Sequence, residues 1–339
     1  MRHLKDLSIG AVIGAANIIP GVSGGTMALI MGVYERLLTI LSSISYRSVK
    51  SFLAILRFSR EGRQQFVAEF QRLEGFFLIK LTIGALGAIL SLASLMTYLL
   101  HQHHDATYGF FFGLVLLSAV YPYKLIRRRS PLLIVIVLLG AGSVFAVSTS
   151  VSDEALIEKA KQKQQLKQAK AAGTVVPEQR RVSTRLFVNI FILGFVAITA
   201  MVLPGISGSF LLLLLGGYFD ILQAIATRDL LILSIFGIGC LAGLLVSSRL
   251  IHFLLSRWHD ATMAYLLGLV LGSLWMIWPF KNSVKVGEQL VYLNNILPNG
   301  FGTNEMLTLA TTLTGMATIL AFLWIESRNS GNKQATAVD

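Results

Sequence analysis

Long runs without charge dominate this chain. Six of them, at about 76–100, 107–123, 131–150, 230–255, 262–280 and 306–325, are each near the roughly 20 residues that an α-helix needs to cross a bilayer. Backbone in hydrocarbon finds no water, so such runs must satisfy their own N–H and C=O groups as helices. The 339 residues are 54% hydrophobic and 14% charged, against about 25% charged in a soluble domain. That balance excludes an ordinary soluble enzyme, a disordered chain and a nucleic-acid-binding module, despite a formal net charge of +12. The one cysteine, Cys240, sits inside an apolar run, which excludes a disulfide framework and a thiolate metal cluster. The expected class is an all-α integral membrane protein with no cofactor and no metal.

Two further apolar stretches, 7–45 and 186–226, are broken near the middle by Pro20-Gly21 and Pro204-Gly205. The first arm, Leu7 to Ile19, reaches only about halfway across a ~30 Å core at ~1.5 Å per residue. Each stretch therefore reads as a re-entrant helical hairpin. Arg2 and Lys5 before an apolar run resemble a signal peptide, but the run meets Pro20-Gly21 instead of a small-x-small cleavage site and continues apolar. Charge gathers elsewhere. Residues 46–74 read as surface helices, and Lys124 with Arg127, Arg128 and Arg129 forms a short basic block. Residues 151–185 carry eight Lys or Arg against four acids. They are polar on every face and read as a mobile hairpin or linker helix. Residues 331–339 read as a flexible tail.

The chain repeats itself. With Ile9–Leu38 written above Leu193–Leu222, Gly10 falls on Gly194, Ala16 on Ala200, Pro20 on Pro204, Gly21 on Gly205, Ser23 on Ser207, Gly24 on Gly208 and Tyr34 on Tyr218, without a gap. Downstream, His104-Asp105-Ala106-Thr107 recurs as His259-Asp260-Ala261-Thr262. Residues 1–150 thus form one repeat and 186–330 a second, each a broken hairpin followed by three spans, with 151–185 as the linker. A re-entrant unit gives three crossings per repeat and inverts the second, whereas a broken helix that spans gives four and leaves the halves parallel. The positive-inside rule favours the inverted arrangement modestly. It sets 15 Lys or Arg on the inner side against 11 outside, or 15 against 3 without the linker. The expected fold is two inverted repeats with both termini cytoplasmic.

At each break proline stops the incoming helix. Glycine permits tight backbone, and Ser23, Thr26, Ser207 and Ser209 are placed to cap the outgoing helix. A helix N-terminus so buried attracts anions, and opposed half-helices from inverted repeats build the sites of many transporters. The candidate binding residues are Pro20, Gly21, Ser23, Gly24, Gly25, Thr26, Pro204, Gly205, Ser207, Gly208 and Ser209. The plain alternative is a packing break in which small residues let helices approach. Glu35 and Asp220 are the acids inside the broken units, and Arg36 adjoins the first. They are candidates for gating, or for coupling to protons or sodium; the competing reading puts them at the headgroups. Asp105 and Asp260 read as caps for helices starting at Thr107 and Thr262. Gly84, Gly87, Gly239 and Gly243 read as helix-packing residues or as walls of a lateral lipid route.

The unit GAANIIPGVSGGTMALIMGVYE, its echo LPGISGSFLLLLLGGYFD and the His-Asp-Ala-Thr tetrads resemble the bacterial polyprenyl-phosphate transporter family over nearly the whole chain. The resemblance implies a flippase of the inner (cytoplasmic) membrane. It would return undecaprenyl phosphate from the outer to the cytoplasmic leaflet for cell-envelope polysaccharide synthesis, with membrane lipids as its surroundings. The linker 151–185 has no match in the family pattern. A small-anion transporter remains an alternative, because the same helix-end logic serves any anion. A membrane-embedded polyprenyl-pyrophosphate phosphatase is less favoured. Gly24 and Gly208 stand where that family needs arginine, and no Glu-x-x-x-Glu pair occurs in the hairpins.

Overall fold

A computed structural model describes residues 2–18, 23–57, 59–171, 184–287, 289–298, 300 and 302–335. Helix α1 (Arg2–Ile18) leads to the first break, where Pro20 and Gly21 lie outside the described residues. The short helices α2 (Gly24–Ile30) and α3 (Tyr34–Ser42) follow, bent by 112°. Helix α4 (Tyr46–Leu53), a 3-10 turn (Ala54–Arg57) and α5 (Arg60–Arg72) occupy the expected surface segment. The spans α6 (Gly75–Gln102), α7 (His104–Ser118) with its continuation α8 (Val120–Leu125), and α9 (Pro131–Thr149) complete the first half.

The linker carries α10 (Asp153–Ala171). The second half repeats the order with α11 (Thr184–Val202), α12 (Gly208–Leu214), α13 (Tyr218–Thr227), α14 (Leu230–Arg257), α15 (His259–Met276) and α16 (Thr303–Ala335). The bend between α12 and α13 is also 112°. Among the described residues, five helical stretches are long and apolar enough to cross a bilayer, or up to seven if each bent pair is one span. The chain is a multi-pass, mainly helical membrane protein.

Three expectations need correction. The arms before the breaks are 17 and 19 residues long, so α11 alone has the length and apolarity of a span. The helices run on through the polar residues that precede each apolar count. The chain is not wholly α: β1 (Lys281–Val286) and β2 (Gln289–Asn295) form an antiparallel hairpin with Val284 opposite Val291. Its signal was a short alternation around Gly287, which adopts φ +60° at the turn, and it ends α15 before Pro279. Helix α16 also continues into the stretch expected as a tail.

Glycines set the helix pairs. Gly10 and Gly14 of α1 abut Leu81 and Ala85 of α6, so the two helices run parallel. Phe191 and Phe195 of α11 meet Gly239 and Gly243 of α14 in the same sense. Gly109 and Gly113 of α7 meet Thr308 and Thr312 of α16, and Gly268 and Gly272 of α15 meet Val137 and Ala141 of α9. Small residues let backbones approach where no hydrophobic force separates helix from lipid. Gly84, Gly239 and Gly243 are therefore packing glycines; a Cβ on Gly87 would meet nothing within 4 Å.

Polar contacts define two ends of the bundle. At one, Arg36 pairs with Glu74 and with Asp6 at 4.0 Å, and His259 lies 3.7 Å from Glu35. Asp260 accepts the backbone N–H groups of Arg127 and Arg128 at 3.0 Å each. At the other end, Asp105 accepts from Asn304 at 2.7 Å and the His104 ring stacks on Tyr292 at 3.4 Å. Neither aspartate caps its own helix, which starts at His104 or His259 without a side-chain cap bond. Each instead ties down the chain around the partner helix, α16 for Asp105 and α9 for Asp260.

Candidate functional site

The first break is closed by its own hydrogen bonds. Ser23, 5% exposed, is the N-cap of α2 and accepts the Gly25 N–H at 3.1 Å. Gly24 N–H donates to Asn17 Oδ1 at 3.0 Å, which draws the returning chain back onto α1. A Cβ on Gly24 would meet that same amide at 2.7 Å, so a side chain there would push Asn17 out of this position. Thr26 does not cap α2. It is 1% exposed, and its Oγ1 accepts the N–H of Gly205 from the second break at 3.0 Å. Tyr34 O–H donates to the Val202 carbonyl at 3.1 Å. The two breaks, 184 positions apart in the repeat, are thus joined directly.

The second break differs. Pro204 and Gly205 are buried, and Gly205 holds φ +84° with the Leu269 carbonyl where a side chain would begin. Ser207 occupies the N-cap of α12 but makes no side-chain cap bond. Its hydroxyl pairs with that of half-turn neighbour Ser209 at 3.0 Å. Gly208 packs on the Ala197 carbonyl. Both outgoing helices have only seven residues, so the hydroxyls, more than a long helix dipole, are what these breaks offer a ligand.

Those hydroxyls face a cavity at the Tyr292 end. One chamber of about 580 Å³ is lined by Asn17, Ser23, Ser207, Gly208, Ser209 and Tyr218 from the two broken units. A second chamber of about 360 Å³ adjoins it, and Tyr108, Lys159, Ser207, Ser209 and Tyr292 line both. The outer wall comes from the linker and the β-hairpin: α10 supplies Leu156, Lys159 and Lys163, and the hairpin supplies Tyr292 and Lys281. Gly25, Thr26, Pro204 and Gly205 stand behind the lining as its frame. Glu35 and Arg36 are away from it, at the opposite end, with Arg36 also stacked on Phe77 at 3.7 Å. Asp220, in the first turn of α13, is not in the lining either. Arg36 is therefore not the cation nearest the serines.

The cations in the lining are Lys159, Lys163 and Lys281. Lys159 Nζ lies 4.3 Å from the Tyr218 ring centroid. Burial lowers its pKa, and the neighbouring charge of Lys163 lowers it further. Lys281 Nζ donates to Asn295 Oδ1 at 2.8 Å, and burial pushes its pKa down to about 8. Asp153 is the acid in the lining, and it accepts from Asn294 at 2.6 Å. Sequence reasoning missed Lys159 and Lys163 because a Lys-Gln-Ala linker looks solvated on all faces, and Lys281 because the hairpin that carries it was not expected. The one signal was the count of basic residues, which put the linker on the side that the positive-inside rule disfavours.

Comparison with known proteins bears on this arrangement. Residues 13–291 match the model of the undecaprenyl phosphate translocase-like family. The chain belongs to that family. Within the family, it is 35% identical over 332 residues to the polyprenyl-phosphate transporter of Vibrio cholerae serotype O1, covering 94% of this chain and 96% of that one. It is 32% identical over 290 residues to the polyprenyl-phosphate transporter of Staphylococcus aureus, covering 82% and 88%. No solved structure matches the chain. The relatives are named as transporters, and the matched region takes in both breaks, the linker and most of the hairpin.

Proposed function

We propose that this protein carries a polyprenyl phosphate, undecaprenyl phosphate in the bacterial case, from the outer to the cytoplasmic leaflet of the inner membrane by alternating access. The observation that carries the reading is the cavity at the junction of the two broken units, with Ser23, Ser207 and Ser209 turned into it. Hydroxyls donate to phosphate oxygens, and apolar spans around the site suit a lipid tail. The names of the two relatives support the same substrate class.

Two inverted repeats are the architecture that goes with this function. Support comes from helix direction. Helix α6 starts at the Asp6 end and α14, its counterpart, finishes there. The cross-paired helices α7 with α16 and α9 with α15 suit a pseudo-twofold relation. The Asp6 end gathers most of the basic residues outside the linker, which supports a cytoplasmic side for it and for both termini. The cavity then faces the outer leaflet, the side from which the lipid is collected. Glu35 with His259, and Arg36 with Asp6 and Glu74, act as the closed cytoplasmic gate. Pro20 and Gly21 belong by sequence to the first broken unit. No hydrolytic step is part of this proposal.

The test is reconstitution of the full chain in vesicles with labelled undecaprenyl phosphate, scoring leaflet movement. Ser207→Ala/Ser209→Ala is expected to slow movement at least about tenfold, as the loss of two hydrogen bonds to a charged group implies. Movement of inorganic phosphate without the lipid would refute the lipid reading and favour a small-anion transporter. Release of phosphate from undecaprenyl pyrophosphate would favour an enzyme.

A further inference from the structure

The broken units contain hydroxyls and backbone but no Lys or Arg in their matched motifs, while a phosphate monoester carries about −1.5 to −2 charge at neutral pH. Something outside them has to balance it. Helix α10 presents one stripe to the cavity, Leu156, Lys159, Ala160 and Lys163, spaced i, i+3, i+4, i+7 as one helical face requires. Exposed Lys161 lies off that stripe. The helix is anchored at its start by the bond from Asn294 to Asp153. Lys159 is half-buried, has among the described residues an aromatic ring in place of a carboxylate as its neighbour, and lines both chambers beside Ser207 and Ser209. Lys281 enters the second chamber from the hairpin. A part-buried charge without a counter-ion carries a desolvation cost, and an incoming anion offsets it.

We propose that Lys159 and Lys281 are the cations that hold the anionic headgroup, with Lys163 at the rim, so that the linker between the halves is a working wall of the binding site. This rests on the transporter reading above for the identity of the anion, but not for the role of the lysines. It also gives a physical reason for the basic linker on the outer side. Its charge answers the ligand, whereas the basic residues at the other end answer the membrane.

The experiment measures binding to the purified full-length protein, with undecaprenyl phosphate, inorganic phosphate and the uncharged polyprenol as probes. Lys159→Gln and Lys281→Gln should each weaken binding of the phosphate probes by about tenfold, the usual size for a charged hydrogen bond. Neither should change polyprenol binding. Lys159→Arg should restore most of the affinity, and Lys161→Gln should match wild type. Elution volume and thermal melting check that each variant is folded. A folded Lys159→Gln/Lys281→Gln protein that binds the phosphate probes as tightly as wild type would overturn the assignment. If wild type binds inorganic phosphate through these lysines but not the lipid, the transporter reading fails and the lysine site stands. If wild type binds neither anion, both fail.

Discussion

Removing the hydroxyl of Thr26 tests whether the two breaks are a single joint. In Thr26→Val the shape is kept, but the Gly205 N–H loses its acceptor at 3.0 Å. That N–H cannot turn elsewhere, because Gly205 is buried at φ +84° against the Leu269 carbonyl. Thr26, 1% exposed, lets in no water to replace the bond. A buried donor left without a partner costs about 1–3 kcal/mol. The new methyl adds to that, since 3.0 Å is closer than a carbon normally sits to nitrogen. Thr26→Ser keeps the bond and loses one methyl, about 0.8 kcal/mol by burial alone. The expected order of stability is wild type, then Ser, then Val, with Val lower by about 2 kcal/mol. Reversible unfolding in mixed micelles, titrated with a denaturing detergent, reads this directly. If Thr26→Val falls within about 0.5 kcal/mol of wild type, the scatter of inert substitutions, the joint is not energetically real. If Ser costs as much as Val, packing and not the hydrogen bond holds the breaks together.

Two further outcomes follow from the geometry. In Gly113→Ala or Gly268→Ala, the new Cβ would run into the backbone carbonyl of Thr312 or Val137. A carbonyl within a helix cannot rotate aside, so each should cost about 1–3 kcal/mol in the same titration. Gly142→Ala meets nothing within 4 Å and should be neutral or gain up to about 1 kcal/mol from helix propensity. For Lys281, burial lowers the pKa from 10.5 to about 8. Between those values the unfolded chain holds a proton that the folded one has released, so stability rises with pH across that window; Lys281→Gln should remove the rise. Headgroup affinity should move the other way, falling as pH passes about 8 and the cation is lost, whereas Lys281→Arg should hold its affinity.

Much of this was legible in local pattern. Uncharged runs of span length produced α6, α7, α9 and α14 close to their expected limits, and the matched Gly32 and Gly216, both at positive φ, stand at two bends of 112°. The hairpin was missed because short strands of alternating residues carry a weak signal, and its effect is large: Tyr292 and Lys281 wall the cavity. The aspartates of the tetrads have the local pattern of helix caps. Their partners, Asn304 and the Arg127–Arg128 backbone, belong to chain segments far away in sequence.

By itself the sequence determined that the chain enters a membrane, that it does so as two similar halves, and where each half breaks. Those outcomes depend on hydrophobicity and on the φ limits of proline and glycine, which act residue by residue. Only the tertiary structure decided what meets at the breaks. It set Thr26 against Gly205, turned Arg36 toward Asp6 and Glu74, and laid one stripe of a uniformly polar helix over the serines. A lysine in a linker has the same composition whether it faces water or a cavity, and the difference lies in which elements close around it.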